Sequence, residues 1–525
     1  MSGMFVRIDR PYRARDISRR SAHVTSPRAH SVASLLMQTT APKTCTYGRR
    51  RPELTPTYRV LQEHLSTFLT ERDAEGRPLP KFVVDELEAF LKCGIPAYGF
   101  LRMKCHACDH EMIVAFSCKK RGFCPGCCGK RMVEASAHLV DHILPMVAYR
   151  QFVLSFPIPL RFWLHTNSKL FAKIHRMVIN ELHRHYTDKA QSLGIKAPAP
   201  GSISFSQRWG SALNLNLHLH ILCPDGVYTL VKGKPQFRYL GAITDDEVAA
   251  LLEVTSKRII RYLRRQGHLD PEGELVQNLA ADPLFGNHES LSLAAPCSVS
   301  GKIAFGPNAG KYVTRIGSGF GYGEEIPLAK GKRCYSVNGF SLHANTTTNT
   351  HQRDRLENLI QYIARGPLAN ERLDILDGEW VKLRLKTPYS DGTTHLVLTY
   401  GEFIEKLVAL IPPPCSHLVR WGGVFAPNSP YRKDIILRPG VRKGFQFEDT
   451  EEQVDASRKN HSWSKMLARV FKIDVTHCPC GGTLRLMAAI QDRDQVRRYL
   501  IHANIDPDPP ARAPPRFQAE PLDFS

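Results

Sequence analysis

Nowhere in the 525 residues does an uninterrupted apolar run approach the ~18 residues that a membrane-spanning helix needs, so spanning helices are excluded. No Gly-x-x-x-x-Gly-Lys-Ser/Thr loop is present, which removes the common phosphate cradle of nucleotide-driven enzymes. There is no internal repeat and no pattern of a secretory signal peptide. Acidic residues are scarce: 50 Asp and Glu stand against 71 Lys and Arg, leaving a net charge of +21. An excess of that size points to a polyanionic partner, most often nucleic acid. The apolar share, 42%, is slightly low for a globular protein but far too high for a disordered one. At roughly 100–200 residues per domain, the length allows about three or four units.

Residues 1–52 are rich in Arg and Ser with only Asp9 and Asp16 as acids, and read as a basic, disordered arm or an upstream extension before Met37. The composition also resembles an organelle transit peptide, the less favoured reading. A unit that holds the clustered cysteines is assigned to 53–145 and a second unit to 146–375. An α/β continuation follows over 376–450, then a small Cys-containing segment over 451–495 and a Pro-rich disordered tail over 496–525. Apolar residues at helical spacing, Tyr58, Leu61, Leu65 and Phe68, then Phe82, Val83, Leu87 and Phe90, predict two helices before the cysteines. Helices are also expected near 130–144, 168–193, 245–266 and 352–364, and one ending at Pro412. Strands are expected near 151–156, 203–208, 214–223, 227–231, 341–347, 381–386 and 394–400. Residues 280–340, rich in Gly and Ser, give only short strands and loops.

Six of the fourteen cysteines lie between Cys105 and Cys128. Clustered thiols in a large chain without a secretory signal indicate metal binding rather than disulfides. Two Cys-x-x-Cys knuckles, Cys105/Cys108 and Cys124/Cys127, suit one tetrahedral site, and four sulfurs select zinc. Cys118 or Cys128 can replace one ligand, and Cys93 or His106 remain open. Lys119, Lys120 and Arg121 lie between the knuckles, a basic rim fit for nucleic-acid phosphates rather than catalysis. The pair Cys478-Pro-Cys480 after His477 is a poor half-site by itself, equally well a turn with two incidental cysteines.

The segment Asn214-Leu-Asn-Leu-His218-Leu-His220-Ile alternates strictly, the period of a half-buried strand. Leu215, Leu217, Leu219 and Ile221 face the core; Asn214, Asn216, His218 and His220 face away. Two imidazoles on one strand face can share a metal ion while leaving most of its coordination open, as catalysis requires. Solvated histidines are the bland alternative. On the helix at 352–364 the apolar stripe is Leu356, Leu359, Ile360 and Ile363, and Tyr362 lies roughly 110° from its middle at about 100° per residue. Followed by Arg365, it can point into a cleft; a boundary aromatic is the commoner fate of such a residue.

Together these motifs resemble the rolling-circle HUH transposases of the IS91 and common-region (ISCR) insertion sequences. The matching stretches run from about Tyr47 to Ile490. They include Cys105-x-x-Cys108, Phe123-Cys-Pro-x-Cys127, Gln207-Arg-Trp-Gly-Ser-Ala-Leu-Asn-Leu-Asn, His218-Leu-His220, Leu342-His-Ala-Asn345, Tyr362-Ile-Ala-Arg365, Asp391-Gly-Thr-Thr394 and Gly423-Val-Phe-Ala-Pro-Asn428. The chain departs from the pattern in three places. Gly366 stands where two-tyrosine members carry a second tyrosine, which marks the single-tyrosine type. Arg420-Trp-Gly-Gly423 lacks a Tyr-His, and Cys478-Pro-Cys480 is one residue short.

The resemblance implies an α+β fold: a ferredoxin-like HUH endonuclease domain, antiparallel sheet with helices, preceded by a helical zinc-binding domain. It implies nicking and joining of single-stranded DNA at element ends through a covalent 5′-phosphotyrosine. The nucleophile would be Tyr362, and the ligands of a catalytic Mg or Mn ion would be His218 and His220, with Gln207 or else His343 as the third. Structural zinc, Arg365 on the DNA, base stacking by Trp209 or Tyr228, host replication machinery as partner, a cytoplasmic, nucleoid-associated location and no membrane complete the expectation. Two other classes stay open: a non-catalytic zinc-containing DNA-binding regulator, and a zinc hydrolase of small substrates, which the charge fits poorly.

Overall fold

The computed structural model describes residues 50–270, 283–316, 331–376, 380–437 and 478–516, all within one compact unit. The expected arm at 1–52 therefore lies, up to residue 49, outside the described residues. Among the described residues no helix is long and apolar enough to cross a membrane.

The chain opens with α1 (Pro56–Ala74), started by Pro56 and by Thr55, whose hydroxyl accepts from the Tyr58 amide, and α2 (Lys81–Lys92). A hairpin of β1 (Phe100–Cys105) and β2 (Glu111–Ala115) leads into α3 (Pro125–His138). Then come β3 (Tyr149–Ser155), α4 (Ile158–Thr166), α5 (Ser168–Ser192), β4 (Gly201–Trp209), β5 (Leu215–Pro224), β6 (Gly226–Val231), β7 (Lys234–Tyr239) and α6 (Asp245–Arg265). After α7 (Pro283–Gly286) and α8 (Glu289–Ser300) follow β8 (Thr314–Ile316), β9 (Cys334–Val337), β10 (Phe340–Thr348) and α9 (Arg353–Ala364). The rest is β11 (Leu373–Leu376), β12 (Trp380–Arg384), β13 (His395–Thr399), α10 (Tyr400–Leu410), β14 (Val419–Gly423), α11 (Arg432–Ile435), β15 (Leu484–Ile490) and α12 (Arg493–His502).

The centre is a six-stranded sheet in the order β14-β4-β5-β3-β10-β9, antiparallel at every pairing. One face packs on α5 and α6: Phe152, Leu154, Leu217, Leu219 and Ile221 meet Ile174, Val178, Leu182, Leu252 and Ile259. The other face packs on α9: Ile203, Phe205 and Leu222 meet Leu356, Ile360 and Ile363. Each such fully buried side chain contributes about 1.5–3 kcal/mol. A four-stranded sheet, β11-β12-β13-β8, forms a separate core with α1, α2 and α10. The fold is thus a mixture of helices and antiparallel sheet, as the α+β reading anticipates.

Three expectations need correction. The region 280–340 contains a real helix, α8, despite Pro296 inside it; its apolar residues Leu291, Ala294 and Ala295 are buried. The cysteine segment placed alone at 451–495 is not separate: β15 pairs with β1 from Phe100↔Ile490 to Cys105↔Leu484, so the zinc-binding region is not purely helical but carries a sheet, β15-β1-β2. Nor is the tail disordered throughout. The helix α12 buries Val496 and Leu500 against Phe100, and residues 511–516 run along α1 and α2. There Gln62 donates to the Ala511 carbonyl, Arg512 pairs with Glu88 at 2.8 Å, and the Arg516 amide donates to Thr67. Proline stiffens the extended chain, and side chains of α1 and α2 supply the partners that its backbone lacks.

A buried ion pair locks the sheet's middle. Arg150 on β3 grips both oxygens of Asp225, in the turn after β5, at 2.7 and 2.8 Å, and also donates to the Ala344 carbonyl on β10 at 2.6 Å. Both partners are almost fully buried. Removing one partner of such a pair costs about 3–5 kcal/mol, because the other charge is left without compensation. We therefore expect Arg150→Met to lower the unfolding free energy by about that amount in denaturant titration, and Arg150→Met with Asp225→Leu to recover much of it.

Candidate functional site

The alternation of β5 places His218 and His220 on the α9 face of the sheet. That face is not solvated: His220 is buried, and from there onward the strand is covered on both sides. The two rings lie 4.9 Å apart, centroid to centroid. His218 donates from Nδ1 to the Asn216 carbonyl at 2.7 Å, which leaves Nε2 with the lone pair. The side-chain amide of Gln151 on β3 lies against Nδ1 of His220. A Gln amide can be turned either way; with its oxygen accepting from Nδ1–H, Nε2 of His220 is likewise free. Burial pushes the imidazoles down, His218 to about 4 and His220 to about 3, with the nearby Arg365 adding to both. Both rings are accordingly neutral at ordinary pH, the form that binds metal ions.

Gln207 stands directly opposite His218 in the β4–β5 register and is buried; its amide nitrogen donates to the Ile363 carbonyl, tying β4 to α9. His343 shares the face but sits on β10, two strands from β5, and is half-buried. The Oδ1 atom of Asn216, on the same strand face as the histidines, is buried and has no hydrogen-bond partner, which makes it a further oxygen donor for a cation. Hard oxygens beside two imidazoles suit Mg, Mn or Zn. Sequence reasoning passed over Gln151; the available signal was a polar residue at the start of the run Gln151-Phe-Val-Leu, on a strand that also carries Arg150 and Ser155.

Tyr362 projects from the last turn of α9, 44% exposed, its ring 6.3 Å from that of His220 and nearly perpendicular to it. The Arg365 guanidinium is 4.4 Å and the Lys386 ammonium 4.3 Å from the Tyr362 ring centroid. The Nε of Arg365 is buried and has no partner. Thus a phenol, two imidazoles and two cations converge where α9 ends over the central strand β5, an arrangement able to hold a phosphodiester against a nucleophile. Gly366 adds a constraint: a Cβ there would lie 2.5 Å from the Cβ of Cys128, so the α3–α9 packing leaves no room for a side chain at this position. Of the aromatics named for base stacking, Tyr228 is buried against Phe237 and cannot serve, because its ring belongs to the core; Trp209 is half-buried at the end of β4.

The cysteines do not form the set Cys105, Cys108, Cys124 and Cys127. They form two groups, Cys93 with Cys118, Cys124 and Cys127, and Cys105 with Cys108, Cys478 and Cys480. Within the first, Sγ–Sγ separations are 3.4–3.6 Å; within the second, Cys105–Cys480 and Cys108–Cys478 are each 3.6 Å. Four sulfurs about 2.3 Å from one zinc stand about 3.8 Å apart, close to these spacings. All eight are free thiols. Backbone amides of Cys118, Ala107 and Gly482 donate to Cys93, Cys105 and Cys480, the bonds that orient thiolate ligands. Gly481, at φ +88°, makes the turn that brings Cys480 round to Cys105. The β1–β15 register explains why sequence order misled: Cys105 meets Leu484 across the ladder, which carries Cys478 and Cys480 to the first knuckle and leaves the second to Cys93 and Cys118. Of the rim cations, Lys119 and Arg121 are exposed and Lys120 half-buried; the Arg121 guanidinium donates to the Ser416 carbonyl at 3.1 Å.

A transposase zinc-binding domain, Zn_Tnp_IS91, matches residues 60–156, and a transposase model, Y2_Tnp, matches residues 201–433. The chain therefore has the domains of a transposase that carries a zinc-binding domain. More narrowly, the chain belongs to the IS91 family of transposases. No curated protein and no solved structure matches it.

The two clusters make a numerical expectation. Elemental analysis of the purified chain should find two zinc ions, and Cys127→Ser or Cys478→Ser should each leave one. The Cys127 variant should also melt at lower temperature, since a structural ion contributes folding free energy directly. One ion in the unsubstituted chain would restore the single-site arrangement.

Proposed function

We propose that the chain nicks and joins single-stranded DNA at the ends of an insertion sequence, through a 5′-phosphotyrosine on Tyr362. The observation that carries this reading is the convergence of a half-exposed phenol with two neutral imidazoles and two cations where α9 ends over the central strand β5. The central antiparallel sheet with helices on both faces is read as a ferredoxin-like HUH endonuclease domain of the single-tyrosine type; the absence of room at Gly366 supports that type.

In the proposed reaction the Tyr362 oxygen attacks the scissile phosphorus, forming the Oη–P bond. The P–O3′ bond breaks, the phenol proton leaves to solvent, and the departing 3′ oxygen takes one up. The bond energy stays in the phosphotyrosine, so joining to a second 3′-hydroxyl needs no nucleotide cofactor. Arg365 and Lys386 hold the phosphate oxygens and offset the charge on the phenolate. Gln207 fixes the end of α9, and so the position of Tyr362, by its bond to Ile363. His218 and His220, with Gln207 or Asn216 supplying oxygen, would hold a Mg or Mn ion. Such an ion, when bound, polarises the phosphate and orients it for in-line attack.

The cysteine groups would hold structural zinc, and Lys119, Lys120 and Arg121 would hold the strand beside the cut. The free 3′-hydroxyl left by cleavage is a primer, which makes host replication machinery the natural partner and the cytoplasmic nucleoid the place of action.

The rival reading, a DNA-binding regulator without catalysis, differs in one assay. With oligonucleotides of the element ends and Mg or Mn, the chain should cleave and leave a tyrosine adduct detectable by mass. Tyr362→Phe should keep folding and binding but lose both cleavage and adduct. His218→Ala with His220→Ala should lower cleavage at least about a thousandfold, as several kcal/mol of stabilisation at about 1.4 kcal/mol per tenfold is withdrawn. Binding without cleavage in the unsubstituted chain favours the regulator.

A further inference from the structure

On the other face of the sheet lies a cleft that the cleavage site does not use. It is walled by α5 and the edge strand β14 and has a volume of about 450 Å³. From α5, His175, Ile179 and His183 form one stripe at four-residue spacing, with Arg176 beside it. From β14 come Val419 and Arg420, paired in register with Phe205 and Ser204 of β4. The imidazoles are held in place: Nε2 of His183 meets the Ser202 hydroxyl at 2.9 Å, and His175 bonds Ser204. At Gly422 a Cβ would stand 2.6 Å from the Ser202 hydroxyl and 3.1 Å from His183, so glycine keeps the floor open.

Two features give the cleft its chemistry. Among the described residues no carboxylate lines it, and Arg176 and Arg420 approach it from opposite walls. The Nε of Arg420 is buried and has no hydrogen-bond partner, and burial together with the charge of Arg176 weakens that guanidinium's hold on its proton. Two like charges brought together without a counter-ion favour an anion between them. The volume exceeds what a phosphate alone requires and falls among clefts that take small organic ligands. Ile179, Val419 and Pro427 offer apolar contact for a sugar and base.

We propose that this cleft binds a nucleotide of the single-stranded DNA outside the cleaved position, its phosphate between Arg176 and Arg420. The proposal rests on the single-strand reading above. Along β4 the cleft and the cleavage site are separated by five residue steps, from Ser202 to Gln207, about 17 Å, and they open on opposite faces. A strand must therefore pass around the β14 edge to fill both, and only longer oligonucleotides can do so.

The test uses the full chain, oligonucleotides of graded length carrying one cleavage position, and binding measured by fluorescence anisotropy over a range of salt. For long oligonucleotides, Arg176→Gln with Arg420→Gln should reduce the slope of log affinity against log salt by about 0.7 for each phosphate no longer neutralised, about 1.4 if each arginine neutralises its own. For the shortest oligonucleotides that are still cut, slope and cleavage rate at saturation should be unchanged. Arg176→Lys with Arg420→Lys keeps both charges and should keep the slope, which separates charge from misfolding. An unchanged slope at every length overturns the proposal. So does an equal reduction at all lengths, which would place the arginines in the cleavage site. Inorganic phosphate and thymidine monophosphate supply a further arm: saturable binding that the Gln variants abolish, without a change in the DNA slope, would assign the cleft to a free anion and overturn its DNA role. If no oligonucleotide is cut but the slopes behave as expected, the cleavage reading fails and the cleft stands.

Discussion

The site depends on one constraint, that a single face of β5 must be both covered and open. The strand lies in the middle of the sheet, and the side chains it turns to the other face, Leu217, Leu219 and Ile221 among them, are apolar and committed to the contact with α5 and α6. The remaining residues must come to terms with α9. Leu222 does so by packing under Ile360 and Ile363, whereas His218 and His220 lie toward the end where α9 stops and Tyr362 turns outward. Burial deep enough to keep the imidazoles neutral, and an opening wide enough to expose nearly half of a tyrosine, meet only at that helix end. Arg353 anchors the other end of α9 by donating to the carbonyls of Leu144 and Pro145, so the helix has little freedom to slide over the sheet.

Much of this was legible because periodicity is a local property. The two-residue period of Leu215 to Ile221 and the helical stripe Leu356, Leu359, Ile360 and Ile363 each determine a face without reference to the rest of the chain. What links the faces is not local. Gln151 meets His220 only through the β3–β5 register, and Gln207 meets α9 only once the helix has docked. Strand β14 escaped notice because it is five residues long and ends in two glycines, which carry no propensity for a strand. Tyr228 misled for the opposite reason: a tyrosine near a strand end looks available for stacking until the core forms around it.

The cysteines show the same limit more sharply. Spacing in sequence identified the knuckles but could not pair them, because tetrahedral coordination is a statement about distance and not about order. The chain joins Cys105 and Cys108 to sulfurs about 370 residues away. Closing a loop that long costs only slowly more entropy than closing a short one. The β1–β15 ladder and the burial of Phe100 against α12 share that cost, so cluster and sheet support each other.

Zinc-binding region and central sheet meet at α3 and α9. Cys127, in the first cluster, and Cys128, which presses on Gly366, are adjacent residues in the first turn of α3. Any shift of the cluster that rotates α3 is therefore felt at Gly366, just beyond the end of the tyrosine helix. Protein interiors transmit such displacements because they are close-packed and cannot absorb them in voids. The fixed position of Tyr362 beside His220 thus derives from two sources, the sheet beneath α9 and the cysteine cluster beside it. The distance between cysteine cluster and phenol is bridged by a single helix start, a glycine and the three residues between that glycine and Tyr362.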